Sequence, residues 1–365
     1  MTHGYVPRPP ALLFGVPIDD LTMDETVAAI GELVADGRRH GRTHQVATVN
    51  VDFLVNALAD DGVHQLLQHA DVCLADGATV VWGARAAHMK LRERVAGADL
   101  VPALAKHSAG AGWRIHLFGS APGTAERAAE LLIARYPWAH VTGDSGPFIK
   151  DGGQVDEGLL ASLAAADPDI LCVALGNPKQ EKFIEAYRGR LGAPVMIGIG
   201  GTLDFIVGGR RRAPRWMQRA GLEWVVRLAQ EPGRLGRRYA HDAVVFFPLL
   251  ARYRRLPRRY RTDADSLWYD VARNDVLVTV NAGGNAAGDQ WQQAVNAAAR
   301  ATTVRIDLGL SSHLSMGSVC ELVGLVRVAR RAGALVDHRP LSSSLTEQLR
   351  SLGLATYLGA AEANR

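Results

Sequence analysis

Asp76 and Gly77 follow a short apolar run, "DVCLA" at 71–75, at the point where a strand gives way to a helix. A helix N-terminus beside a carboxylate lowers its pKa and keeps it ionised, and an ionised carboxylate so placed can act as a general base. The same position also suits an N-cap, whose side chain serves only the helix. Four further turns of this kind gather polar or small residues. "HQVATVN" (44–50) ends in Asn50, with Thr48 in its last turn and Asp52 just beyond. "LFGSAPGTAE" (117–126) and "GIGGTLDF" (198–205) run from strand through small residues into helix. Backbone amides exposed there suit a phosphate or diphosphate, while close helix-strand packing through glycine is the alternative. "ALGNPKQEKF" (174–183) breaks at Gly176, Asn177 and Pro178 and sets Lys179, Gln180 and Glu181 in the first turn of a helix. A lysine there opposes the helix dipole, which points to an anionic ligand or to a side chain simply in solvent.

Other chemistries find little support. No Lys-Ser/Thr follows either glycine loop, so neither is a Walker A loop, and neither completes G-x-G-x-x-G, which leaves a nicotinamide-dependent oxidoreductase weakly supported. There is no G-x-S-x-G elbow and no H-E-x-x-H, and the twelve histidines are scattered without ligand spacing. "DPD" at 167–169 precedes its strand instead of ending it, which argues against a D-x-D metal motif. A reaction without metal ion or cofactor is expected. Cys73, Cys172 and Cys320 are far apart and odd in number, against a disulfide framework or a zinc site and in keeping with a reducing cytoplasm. The N-terminus shows no basic head followed by an apolar core, and no apolar run approaches the roughly 20 residues that span a bilayer.

The elements that must position these turns are legible as periodicity. "HQVATVN", "RIHLFGS" (114–120), "DILCVALG" (169–176) and "APVMIGIGG" (193–201) read as buried strands, and "DETVAAIGELVADG", "TAERAAELLIARY" and "KQEKFIEAYRGRL" between them carry apolar residues at helical spacing. Such alternation predicts an α/β fold with a parallel sheet covered by helices on both faces, and ligands at the carboxyl ends of its strands. At 365 residues the chain has room for more than one domain. Residues 1–209 read as the core and residues 210–262 as a helical appendage. The net charge of +4 is unevenly spread, because residues 210–261 hold fifteen arginines and no lysine against Glu223, Glu231 and Asp242. Arg252 to Asp265 reads as a linker, and 266–365 as a small α/β module of hairpin, helix, strand, helix, strand and helix.

Taken together, "ATVNVDFLVNAL", "DVCLADGATVVW", "IHLFGSAPGTAE", "ILCVALGNPKQEKFI" and "MIGIGGTLDFIVGGRRRAPRWMQRAGLEWVVRLAQEPGRLGRRY" resemble the WecG/TagA/CpsF family of bacterial glycosyltransferases over about residues 12–240. The resemblance implies a Rossmann-like core. It also implies inverting, metal-independent transfer of N-acetylmannosamine or a related sugar from a UDP donor to a polyprenyl-diphosphate-linked N-acetylglucosamine, in cell-envelope or exopolysaccharide synthesis. It makes Asp76 the counterpart of the catalytic base and puts Thr48 and Asn50 beside the acceptor sugar. Gly119, Ser120, Asn177, Lys179, Gln180, Gly200, Gly201, Thr202 and Asp204 would surround the nucleotide sugar. Arg212, Arg215, Arg219 and Arg227 of the appendage would reach the acceptor diphosphate, a task suited to bidentate guanidinium groups.

The same appendage, with Trp216, Trp224 and "AVVFFPLLA" (243–251), is expected to rest on the cytoplasmic face of the plasma membrane and not to bind nucleic acid. Read as a lid, 210–261 is expected to be removable without unfolding the core. The C-terminal stretch resembles a STAS domain in which "LSMGS" stands where regulators carry a phosphorylatable serine, with Ser315 its approximate counterpart. That implies docking to a protein partner. The alternative reading is a STAS-type regulatory or scaffold protein with a degenerate enzyme core.

Overall fold

The computed structural model describes residues 8–147, 149, 155–209, 212–214, 217, 222–255, 265–272, 275–282, 288–309 and 311–358. A small antiparallel hairpin, β1 (Ala11–Leu13) and β2 (Val16–Ile18), precedes the main sheet. The main sheet is wholly parallel and consists of β3 (His44–Val49), β4 (Val72–Ala75), β5 (Arg114–Gly119), β6 (His140–Asp144), β7 (Ile170–Ala174) and β8 (Val195–Gly198), in the order β4-β3-β8-β7-β5-β6. Every residue of β3, β4, β7 and β8 is buried, as a strand covered on both faces requires. Alternate side chains serve opposite faces. Val46, Ile115 and Ile197 meet α1 (Met23–His40), α5 (Gly97–Ala111) and α6 (Thr124–Arg135), while Val173 and Met196 meet α7 (Glu157–Ala165) and α8 (Lys179–Leu191). Helices α2 (Val51–Ala59), α3 (Asp61–His69) and α4 (Ala78–Ala86) cover β3 and β4, and the short α9 (Thr202–Ile206) follows β8. Because the strands are parallel, all the loops singled out above open on one edge of the sheet.

The appendage contributes α10 (Glu223–Gln230) and α11 (Pro232–Tyr253). Its second helix is part of the core. Phe246, Leu250 and Tyr253 are buried, and the Phe14 ring meets Phe246 edge-on at 5.7 Å and Tyr253 at 5.2 Å. Gly83 on α4 makes this approach possible, since a Cβ there would sit 3.1 Å from Phe246 Cζ. This packing runs against the expectation of a removable segment, because cutting out 210–261 would strip Phe14 of its covering rings. It also divides the stretch 243–251. Phe246 and Leu250 face inward, and Val244 and Phe247 are 74% and 56% exposed.

The C-terminal module forms a second sheet from β9 (Asp265–Ala272), β10 (Asp275–Ala282), β11 (Thr303–Asp307) and β12 (Leu335–His338), in the order β12-β11-β10-β9. The β9-β10 pair is antiparallel and the other two pairs are parallel. Helices α12 (Gly288–Ala298), α13 (Met316–Ala332) and α14 (Ser343–Ser351) complete it in the expected sequence of elements. Ser315 is the N-cap of α13, its Oγ accepting from the Ser318 amide at 3.1 Å. The module is seated on the first domain through α13. Buried Arg327 reaches Asp19 at 2.9 and 3.1 Å and donates to the carbonyls of Ala70 (2.9 Å) and Asp71 (3.0 Å). One apolar cluster runs unbroken from the β1-β2 hairpin through α11 into α13.

Candidate active site

Asp76 stands at the carboxyl edge of β4, where its amide continues the ladder by donating to Val49 O at 2.8 Å. It is not the cap of the helix that follows. Gly77 fills that position with φ 156° and ψ 138°, and α4 begins without any side-chain cap. The carboxyl group is half-buried and its pKa is pushed up to about 6, with burial the largest cause, opposed by Arg94 and Arg227 and reinforced by Glu223 and Asp99. This reverses the lowering expected from the helix N-terminus. Loss of water around the charged form outweighs the attraction of the nearby cations.

The groups around Asp76 form a network that ties the appendage to the core. Arg94 donates to Glu223 Oε2 at 2.6 Å and to Asp99 Oδ2 at 3.0 Å. Arg212 grips Asp99 with both terminal nitrogens, one of them 3.0 Å from Oδ2, and its Nε lies 3.8 Å from Glu223 Oε1. The Arg227 guanidinium lies over the Phe205 ring at 5.7 Å. Arg212 and Arg227 both lie within electrostatic reach of Asp76, and Arg212 is held by carboxylates. Arg215 and Arg219 lie outside the described residues. Arg94, Asp99 and Glu223 were not singled out in the sequence, because Glu223 lies 129 residues beyond Arg94 and no spacing rule connects them.

The remaining residues sort into rim and support. Thr48 is buried and its hydroxyl donates to Gly198 O at 2.7 Å, lacing β3 to β8 beneath the edge. Asn50 caps α2, its Oδ1 accepting from the Phe53 amide at 3.0 Å. Thr202 is buried with its hydroxyl donating to Ile199 O at 2.6 Å, next to Gly201, the N-cap of α9. Gln180 is buried as well and acts as a brace, accepting from the Gly200 amide at 2.8 Å and donating to Glu181 Oε1 at 2.7 Å. Glu181 is wholly buried, and burial pushes its pKa up to about 8, so it is largely neutral at pH 7.

At the rim, Ser120 adopts the left-handed φ of 75° and donates from Oγ to Asp204 Oδ1 at 3.1 Å. A side chain in that region costs energy that the surrounding structure must offset, and such residues cluster at ligand sites. At Gly119 (φ 95°) an added Cβ would come within 3.1 Å of Ala174 O, so close packing accounts for this glycine. The Asn177 side chain is the most telling group. Its Oδ1 and Nδ2 are both buried without a hydrogen-bond partner, two residues before Lys179 in the first turn of α8. A buried amide with both ends unsatisfied is rare in folded proteins. Among the described residues no group of three or more His, Cys, Asp or Glu side chains is disposed to hold a metal ion.

A basic half-buried carboxylate, three arginines and an unsatisfied amide thus share one edge of a parallel sheet. The sequence profile of the glycosyl transferase WecG/TagA/CpsF family matches residues 11–260. The chain belongs to this family. It is similar to the N-acetylglucosaminyldiphosphoundecaprenol N-acetyl-β-D-mannosaminyltransferases of Bacillus subtilis (strain 168) and Bacillus spizizenii, at 34% and 32% identity over 189 residues, which is 52% of this chain and 72% of each relative. Among solved structures, a metal-free periplasmic metal-binding protein from Candidatus Liberibacter asiaticus aligns at 9% identity over 68% of this chain and 99% of its own, with a TM-score of 0.17 that carries no weight. The WecG/TagA/CpsF match takes in the parallel sheet and the appendage through α11, and the four-stranded module lies beyond it. No helix among the described residues is long and apolar enough to cross a membrane.

Proposed function

We propose that the chain transfers N-acetylmannosamine, or a closely related sugar, from UDP to a hydroxyl of polyprenyl-diphosphate-linked N-acetylglucosamine, with inversion at the anomeric carbon. The observation that carries this reading is Asp76, a half-buried carboxylate with a pKa near 6 facing Arg94 and Arg227 at the sheet edge. A base of that strength is mostly ionised at neutral pH and still takes a proton readily. In the proposed step the acceptor oxygen forms its bond to the anomeric carbon as its proton passes to the Asp76 carboxylate. The bond from that carbon to the UDP oxygen breaks, and the electron pair leaves with UDP. A single displacement of this kind inverts the centre.

Charge developing on the leaving diphosphate falls toward Lys179, the Asn177 amide and the backbone at Gly200 and Gly201. Donors fixed in advance at such a point are effective because they need no reorganisation. On the other side Arg227 is placed to meet the acceptor diphosphate. No metal ion or cofactor enters this scheme. The exposed Val244, Phe247 and Trp224, with the arginines of α11, would hold the enzyme on the cytoplasmic face of the membrane that carries the lipid-linked acceptor. The C-terminal module, read as STAS-like, would supply a docking surface for a protein partner.

A panel of UDP-sugars with a short-chain polyprenyl-diphosphate-N-acetylglucosamine acceptor tests the proposal. A product heavier than the acceptor by one N-acetylhexosamine residue is the expected result. Absence of transfer from every donor would reject it and leave the regulatory reading.

A further inference from the structure

On the opposite side of the sheet from Asp76, a cavity of about 450 Å³ lies between the catalytic half and the C-terminal module. The catalytic half supplies the start of β3 (Arg42 to His44), the end of α3, and Arg188 on α8, and the module supplies Arg327, Arg330 and Arg331 of α13 together with Tyr357. Its volume falls within the range of small-molecule sites. Five guanidinium groups line it against the carboxylates of Asp71 and Glu185, with Asp19 behind Arg327 and Asp36 3.9 Å from Arg42. Arg330 is not ion-paired with any described carboxylate. It donates to Tyr357 O at 2.8 Å and lies 4.4 Å from the centre of the Tyr357 ring, which in turn faces His69 at 5.8 Å.

Two of the lining groups carry unsatisfied donors although they are almost fully enclosed. Tyr357 is 3% exposed and its hydroxyl makes no hydrogen bond of good geometry, and Arg327 is 7% exposed with its Nε likewise unpaired. Buried donors are satisfied in the great majority of cases, so two orphans on one cavity wall mark the place of an absent acceptor. We propose that this seam is a binding site for a small phosphorylated anion, which takes its hydrogen bonds from Tyr357 Oη and Arg327 and its charge from Arg188 and Arg330. Phosphate oxygens match guanidinium donors in geometry and charge, and the two rings leave room for an organic group attached to the phosphate. The site is separate from the transferase edge. Its occupant would bridge α13 to the amino ends of β3 and β4.

The test is calorimetric titration of the full chain with inorganic pyrophosphate at low salt, for the wild type and for Arg330→Gln, Tyr357→Phe and Arg227→Gln. The first two substitutions touch the seam, and the third touches the opposite edge. The expected result is a binding component weakened about tenfold by Arg330→Gln and several-fold by Tyr357→Phe, and kept in Arg227→Gln. Tyr357→Phe removes one hydroxyl that lacks an acceptor and keeps the ring in place, so it keeps the test sharp even where Arg330→Gln fails to fold. An isotherm unchanged by Tyr357→Phe, or one abolished by Arg227→Gln alone, would overturn the assignment.

Discussion

At the scale of single residues, the properties of Asp76 come from its neighbours more than from its place in the chain. The sequence put it at a helix N-terminus and predicted a lowered pKa. Burial raises it instead to about 6, and Arg94 and Arg227 limit the rise. A base must be deprotonated to act, so kcat/KM should fall by about a factor of ten for each pH unit below 6. Arg94→Gln removes a cation that favours the charged form, and the acidic limb should then move to higher pH, as a pH-rate profile would show. Glu181 tests the opposite face of the same physics. Its folded pKa of about 8 lies above its ordinary 4.5, so the folded state holds a proton the unfolded state has released, and stability falls as pH rises between those values. Glu181→Gln keeps an acceptor for Gln180 but has no proton to lose. Urea unfolding at pH 5 and pH 8 should show a flatter dependence in that variant, with a gain on the order of 1 kcal/mol or more at the higher pH.

At the scale of elements, the strands were easiest to read where they are buried on both faces. Runs such as "DILCVALG" left only their ends in question, and β7 spans Ile170–Ala174. The edge strand β6 was missed, since "HVTGD" is half-exposed and holds Gly143, where a Cβ would lie 2.3 Å from Ala125 O. That glycine is needed by α6, which no local pattern reveals. The turns after β3, β4, β5, β7 and β8 were legible because small and polar residues interrupt apolar runs there. The Arg94-Asp99-Glu223 network was not, because only folding brings those stretches together. Helix α11 was read as one lipid-facing surface and proves to be divided between core and solvent. Phe246→Ala should therefore destabilise the fold by about 3–5 kcal/mol, measured by denaturant unfolding, whereas Phe247→Ala should cost little stability and weaken vesicle binding. Arg227→Gln should leave the unfolding curve unchanged and lower kcat/KM with the lipid-linked acceptor about 100-fold.

At the scale of the molecule, the catalytic half and the C-terminal module share one apolar cluster and a buried ion pair. The sequence showed two modules and the order of their elements. It could not show how α13 seats on the first, because Arg327 and Asp19 are 308 residues apart in the chain. Removing one partner of a buried pair leaves the other charge without compensation, at a cost of about 3–5 kcal/mol. Arg327→Ala should accordingly loosen the module, seen as faster hydrogen exchange in α13 and at the start of β4. Unchanged exchange there would mean that apolar packing alone holds the seam.

The most direct test is the Asp76→Asn variant of the full chain, assayed in parallel for UDP binding and for sugar transfer to polyprenyl-diphosphate-N-acetylglucosamine with the product identified by mass. The account predicts UDP affinity within about threefold of wild type and transfer lowered by a factor of about 100 or more, the share of the rate that a positioned base supplies. Transfer at the wild-type rate in that variant would contradict it.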